Sequence, residues 1–272
     1  MTADQDSFPR RMARTQRFTL GTPRSLTLSP DGLRVVFVRS RSGTERTGLL
    51  WSMDRASGHE QLLVDPAALL GADSTEDLSA EERARRERMR EGGAGITSYS
   101  TDKEVRLAAF ALSSRLFVAD LVAGGARELP VAGPVIDPRM SPDGSRVAYV
   151  ANGGLHVVST HDGSSRTLAE PDGPHVTWGL AEFVASEELE RFRGHWWLPD
   201  SAGLLVARVD ESPVTTWWVA DPAHPENDPY PHRYPAAGTP NAEVTLWRIG
   251  LDGSRTELGW DRAGFPYLVD VR

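Results

Sequence analysis

Short runs in which apolar and polar residues alternate, broken every few positions by Pro, Asp or Gly, dominate this chain. The stretch 25–39 holds two such runs around the tetrapeptide Ser29-Pro30-Asp31-Gly32. Proline presets φ for a turn and glycine supplies positive φ, so the pattern predicts two strands joined tightly. A third run at 48–53 and a fourth at 60–64 follow, with a turn at Ser57-Gly58-His59 between them. Four strands in about 40 residues is the size of one β-propeller blade.

The unit recurs. Residues 135–150 contain the same turn, Ser141-Pro142-Asp143-Gly144, and runs at 154–159 and 165–168, with a turn at His161-Asp162-Gly163, complete the copy. A degenerate copy spans 96–130, with runs at 105–110 and 114–119 and a Gly124-Gly125 turn. A looser copy opens at His195-Trp196-Trp197-Leu198-Pro199-Asp200. Its third strand is either 215–219 or 243–249, and Leu251-Asp252-Gly253 is its last turn. Repetition at this period predicts an all-β fold, a partial β-propeller of about four blades with short helical insertions. Residues 1–24 read as a lead-in, basic over 9–19, and 25–272 as the propeller. The stretch 265–272 reads as the opening strand of a further repeat, and the chain is therefore expected to be a fragment.

Three segments interrupt the strands. Residues 75–92 are dense in helix formers, acidic early and basic late as a helix dipole prefers, and predict a helical insertion. Residues 181–193, with Glu187 and Glu188 side by side, predict a second helix. The Pro-rich stretch 221–241 predicts an extended loop.

Composition narrows the function. A net charge of −8 argues against a nucleic-acid partner and is compatible with a cationic ligand. The absence of cysteine removes disulfides, thiolate nucleophiles and zinc–thiolate clusters. The polar, acidic start lacks the profile of a signal peptide, and no apolar run approaches the roughly 20 residues that cross a bilayer. These features predict a cytoplasmic protein without a membrane partner. His156, His161 and His175 match no ligand spacing, and the Asp-Gly turns lack the alternating carboxylates of a calcium loop, so neither metal nor cofactor is expected. Trp196, Trp197, Trp217, Trp218 and Trp247 are expected to pack between blades. No Gly-x-Ser-x-Gly nucleophile elbow occurs, and no catalytic residue is assigned.

Three further segments carry a resemblance: 86–99 (Arg-Glu-Arg-Met-Arg-Glu-Gly-Gly-Ala-Gly-Ile-Thr-Ser-Tyr), 182–197 (Glu-Phe-Val-Ala-Ser-Glu-Glu-Leu-Glu-Arg-Phe-Arg-Gly-His-Trp-Trp) and 232–245. In order and spacing they resemble the N-terminal propeller of the dipeptidyl peptidase IV family, in the prolyl oligopeptidase clan, above all its cytosolic members and their bacterial counterparts. The resemblance implies that a double glutamate grips the free N-terminal ammonium of a peptide. A dipeptide, commonly with Pro or Ala second, is thereby measured off for a serine nucleophile on a separate C-terminal α/β-hydrolase domain. The matching positions are Glu187 and Glu188. It also implies an upstream arginine that holds a substrate carbonyl; register through Gly95–Tyr99 places that role on Arg90, with Arg86 and Arg88 close by. A homodimer of the full-length enzyme is implied as well.

Physical chemistry supports the glutamate assignment. A peptide ammonium has three donors and a pKa of roughly 7.7–8. One carboxylate at about 4 Å offers it about 4 kcal/mol at an effective dielectric near 20, before desolvation is subtracted. Two acceptors can satisfy separate N–H groups and so reject blocked termini. Composition alone reads both glutamates as solvated surface charge. The chain is thus expected to be the substrate-recognition part of a serine-type exopeptidase, inactive alone. The alternative is a non-catalytic propeller scaffold, which has no need of the Glu-Glu pair.

Overall fold

The computed structural model describes residues 6–71 and 76–272. The first five residues of the lead-in, and residue 75 at the head of the 75–92 insertion, lie outside the described residues. The repeated tetrapeptide folds as its chemistry requires. The Gly32 amide donates to the Ser29 carbonyl at 2.8 Å, Asp31 accepts from the Ser29 hydroxyl and the Leu33 amide, and Gly32 sits at φ +70°. Ser141–Gly144 repeats this, with a 2.9 Å closing bond, Asp143 accepting from the Ser141 hydroxyl, and Gly144 at φ +73°.

Two more copies of the turn use other residues. In Asp102–Val105 the Val105 amide donates to the Asp102 carbonyl at 3.1 Å, and in Leu198–Ser201 the Ser201 amide donates to the Leu198 carbonyl at 3.0 Å. Val105 and Ser201 stand where glycine stands elsewhere, at φ +55° and +58°. Positive φ strains a β-branched residue. Val105 is held there by its burial in the core and by Asp102, whose carboxylate accepts the Arg106 and Leu107 amides at 2.7 Å each.

The strands form blade-like sheets. The first runs β1 (Arg24–Leu28), β2 (Arg34–Arg39), β3 (Thr47–Asp54), β4 (Glu60–Val64), with β5 (Ala94–Gly95) added parallel to β3. The second is β6 (Ser100–Thr101), β7 (Leu107–Leu112), β8 (Arg115–Asp120) and β9 (Ala126–Leu129). The third is β10 (Ile136–Met140), β11 (Arg146–Ala151), β12 (Gly154–Ser159) and β13 (Ser165–Ala169). The remaining strands are β14 (Val176–Trp178), β15 (His195–Trp197), β16 (Gly203–Asp210), β17 (Thr216–Val219), β18 (Tyr230–Arg233), β19 (Glu243–Gly250) and β20 (Arg255–Leu258). The fourth sheet takes the order β14-β16-β19-β20, β15 also pairs with β16, and β17 pairs with β18 as a separate hairpin. Helices are short: α1 (Phe8–Arg14), α2 (Pro66–Leu70), α3 (Ala80–Arg88) and α4 (Phe183–Glu188).

One open choice is resolved and three expectations do not hold. The third strand of the fourth sheet is the 243–249 candidate; the 215–219 candidate belongs to the hairpin. The first strand of that sheet opens at Val176, not at His195. The stretch 221–241 is not loop throughout, because Tyr230–Arg233 is β18, with Pro231 opposite Trp218 where its missing N–H costs no ladder bond within a longer sheet. Finally, 265–272 forms no strand, although Leu268 is buried against Trp196, Ala207, Val209 and Val244.

By its contacts the chain divides into two units, Met1–Ala148 with Val158–Ser165 and Tyr149–Val157 with Arg166–Arg272. The first is built on Val36, Val38, Leu50, Ile96 and the stacked pair Phe110–Phe117, whose ring centres are 5.6 Å apart. The Arg34 guanidinium binds the carbonyls of Val105 and Leu121 there, tying the first sheet to the second. In the second unit Trp178 packs edge-on against Trp247 at 5.7 Å, and Arg255 lies over the Trp178 ring while donating to the Leu168 carbonyl.

Candidate functional site

The Glu-Glu segment grows out of a single strand. β14 pairs Val176, Thr177 and Trp178 with Asp210, Val209 and Arg208, and β15 pairs His195, Trp196 and Trp197 with Val206, Leu205 and Leu204. Between them the Gly179 amide donates to the Ala207 carbonyl at 2.9 Å, and the Ala207 amide donates to the Gly194 carbonyl at 2.7 Å. β14 and β15 are therefore two halves of one strand, and residues 180–193 leave and re-enter it at the same level. Glycine is required at that stem. A Cβ on Gly194 would lie 2.3 Å from the Leu180 carbonyl oxygen, and Gly179 adopts φ +88°.

Inside the insert, α4 is too short to be stable through helix propensity alone. It is braced by Glu182 and Arg191, both buried and joined at 2.6 Å. The Arg191 guanidinium also donates to the carbonyls of Arg193 at 2.9 Å and Leu268 at 2.8 Å, while its amide donates to the Ala185 carbonyl. A buried pair holds only when its remaining donors are satisfied, as they are around Arg191. Aromatic contacts add a second brace. Phe183 of α4 meets the Tyr234 ring edge-on at 5.1 Å, and Tyr234 meets Trp217 of the hairpin at 6.4 Å.

Glu187 and Glu188 are the last two residues of α4, both exposed, and neither forms a hydrogen bond or ion pair among the described residues. Helix carbonyls place partial negative charge at that end, so two carboxylates there do not favour the helix. Folding gives no reason for them. Trp217 and Trp218, expected in the core, are 50% and 68% exposed on the hairpin instead, whereas Trp196 is buried.

The arginine candidates separate by their partners. Arg86 is buried on α3, where it donates to both Glu76 oxygens, at 2.7 and 3.2 Å, and to Glu82 at 3.1 Å. Burial alone would lower its pKa, but the two carboxylates outweigh burial and the net shift is upward. Arg85 bridges Glu82 and Asp137, and Arg139 also binds Asp137. Arg88 is half-buried and engaged. Arg90 lies just beyond the helix at φ +53°, exposed, and its side chain has no partner among the described residues. Downstream, Tyr99 anchors the segment: its hydroxyl lies 2.6 Å from the Ser25 carbonyl and 2.8 Å from that of Val36, and burial pushes its pKa up to about 12. Arg90 belongs to the first unit, and Glu187 and Glu188 belong to the second.

Glu182, Arg191, Phe183 and Tyr234 escaped the sequence reading as contributors to the site. An acid and a base flanking the Glu-Glu pair were the available signal for the first two. Among the described residues no three His, Asp or Glu side chains are grouped to hold a metal, and no helix is long and apolar enough to cross a membrane.

The family profile described as the dipeptidyl peptidase IV (DPP IV) N-terminal region matches residues 91–268. Dipeptidyl peptidase 8 of Homo sapiens is 27% identical over 195 residues, covering 62% of this chain and 22% of the human protein. Its Mus musculus counterpart is 26% identical over 220 residues, covering 71% and 24%. The chain thus spans less than a quarter of the length of these curated relatives. The crystal structure of Porphyromonas gingivalis dipeptidyl peptidase 4 matches 94% of this chain and 35% of that one, with a TM-score of 0.64 and 22% identity. That likeness is one of fold, and the fold is an all-β partial propeller.

Proposed function

This chain belongs to the family of dipeptidyl peptidase IV N-terminal regions, and from that premise we propose that it is the substrate-recognition portion of a serine-type dipeptidyl peptidase. Glu187 and Glu188 bind the free N-terminal ammonium of a peptide, and Arg90 holds a backbone carbonyl. Hydrolysis of the second peptide bond falls to a C-terminal α/β-hydrolase domain. The same reading includes a cytoplasmic location and a homodimer of the full-length enzyme.

The observation that carries the proposal is the pair of exposed, unpartnered carboxylates at the wrong end of a helix that a buried ion pair holds in place. Neighbouring side chains lie about 100° apart on a helix, so two of them reach one ligand only where the helix ends. An ammonium presents three donors to such a pair. Arg90 supports the reading because its guanidinium is uncommitted, unlike that of Arg86.

The test is calorimetric titration of the chain with an Ala-Pro-initiated peptide, unblocked and N-acetylated. The unblocked peptide is expected to bind, and the acetylated one and the Glu187→Ala/Glu188→Ala variant to lose roughly a hundredfold in affinity. Equal affinity for both peptides would remove the recognition role. A second reading, an interaction scaffold, is favoured by the exposed Trp217, Trp218 and Tyr230 of the hairpin. It requires partner binding that survives loss of both glutamates and fails on Trp218→Ala.

A further inference from the structure

The first unit holds a cavity of about 280 Å³ walled by the lead-in, the approach to β3 and the segment after α3. Its charged lining consists of Arg24, Arg46, Arg90 and Glu91. The one carboxylate is committed, since Glu91 is ion-paired with Arg24 and accepts the Gly93 amide at 2.7 Å. Arg46 and Arg90 are both exposed, and neither side chain has a partner among the described residues. The cavity therefore carries surplus positive charge in a chain whose net charge is −8.

Its walls are specifically built. The Gln16 side-chain amide donates to the Gly92 carbonyl at 3.1 Å, and a Cβ on Gly92 would lie 3.0 Å from that nitrogen. A Cβ on Gly93 would lie 2.7 Å from the Glu91 carboxylate and 3.3 Å from the Arg24 guanidinium. Gln16, Arg17 and Phe18 stand consecutively at φ +47°, +61° and +62°. L-residues visit that region singly and seldom in succession, and such strain concentrates at ligand-holding segments.

We propose that this cavity binds a small oxyanion, a carboxylate or phosphate group, through Arg46 and Arg90. A planar guanidinium presents a fork of donors that matches both groups, and two such forks without internal partners leave the site one ligand short. Arg90 is shared with the carbonyl contact proposed above, whereas Arg46 is not and binding here requires neither Glu187 nor Glu188, so the Arg46 and Glu187/Glu188 variants tell the two readings apart.

The test is titration of the full chain with sodium phosphate and, separately, with N-acetyl-aspartate, at constant ionic strength set by chloride and followed by amide chemical shifts. The two arms separate a free phosphate from a peptide-borne carboxylate. The expected result is saturable binding of at least one probe, with shifts clustered at residues 16–24, 46 and 90–93. Arg46→Ala is expected to weaken it about tenfold or more, and Arg46→Lys to restore only part. Arg46→Gln, which keeps the side-chain bulk, should match the alanine variant with an unchanged amide spectrum elsewhere. The Glu187→Ala/Glu188→Ala variant should bind the anion as before. Shifts that never saturate with either probe, or equal affinity in Arg46→Ala, would overturn the proposal.

Discussion

Two short helical insertions, α3 in the first unit and α4 in the second, carry dense charge and use it in opposite ways. On α3, Arg85 and Arg86 are matched by Glu76, Glu82 and Asp137, so its charges clamp the segment onto its own unit. On the α4 insert a single pair, Glu182–Arg191, does the clamping, and the two adjacent glutamates are left over. Charge density alone therefore separates nothing. What distinguishes a brace from a binding group is whether the partner lies in the same chain.

Breaking the α4 brace should have the largest effect. Arg191→Ala strands the Glu182 carboxylate in a buried site and is expected to destabilise the second unit by about 3–5 kcal/mol in urea titrations. Adding Glu182→Gln should recover part of that loss. Glu187→Ala/Glu188→Ala is expected to leave the urea midpoint unchanged or slightly raised, since it removes charge from the wrong end of a helix. Stability falling as far as in Arg191→Ala would erase the contrast between brace and binder. Arg86→Ala is the matching break in the first unit, expected to cost about 3 kcal/mol because it strips partners from Glu76 and Glu82.

A gentler probe is Tyr234→Ala, which removes the edge-on contact with Phe183. Such pairs contribute about 0.5–1.5 kcal/mol, so faster hydrogen exchange over 183–188 is expected with little change in the global midpoint. A further effect concerns pH. The Tyr99 hydroxyl has a folded pKa above its ordinary value of 10.0. Its contribution is complete below pH 10 and is lost as pH rises toward about 12, so wild-type stability should decline over that interval and Tyr99→Phe should flatten the decline.

The turns were legible where they kept Ser-Pro-Asp-Gly and obscure where only the backbone geometry persisted. Asp102–Val105 makes the same closing bond with none of those residues in its place, because a buried valine and a capping aspartate can hold the conformation glycine adopts freely. The opening of the fourth sheet was misplaced for a different reason. Its first strand is split by 180–193, and local alternation cannot reveal that Trp178 and His195 continue one ladder. Trp217 and Trp218 misled because aromatic residues in a strand-like run suit an inner strand and an exposed hairpin equally. The double glutamate was visible through its resemblance and its position. Its brace was not, since Glu182 and Arg191 stand nine residues apart and meet only after the chain turns back.

The Gly179–Gly194 stem makes the α4 insert a detachable module. Along β16 the partner residues run from Asp210 to Leu204 without a skipped rung, so the sheet registers nothing of what departs between the two glycines. Lengthening or shortening the excursion would move the carboxylates in space while every ladder bond stayed in place. A scaffold with such a socket can carry an excursion of different reach and depth without being refolded.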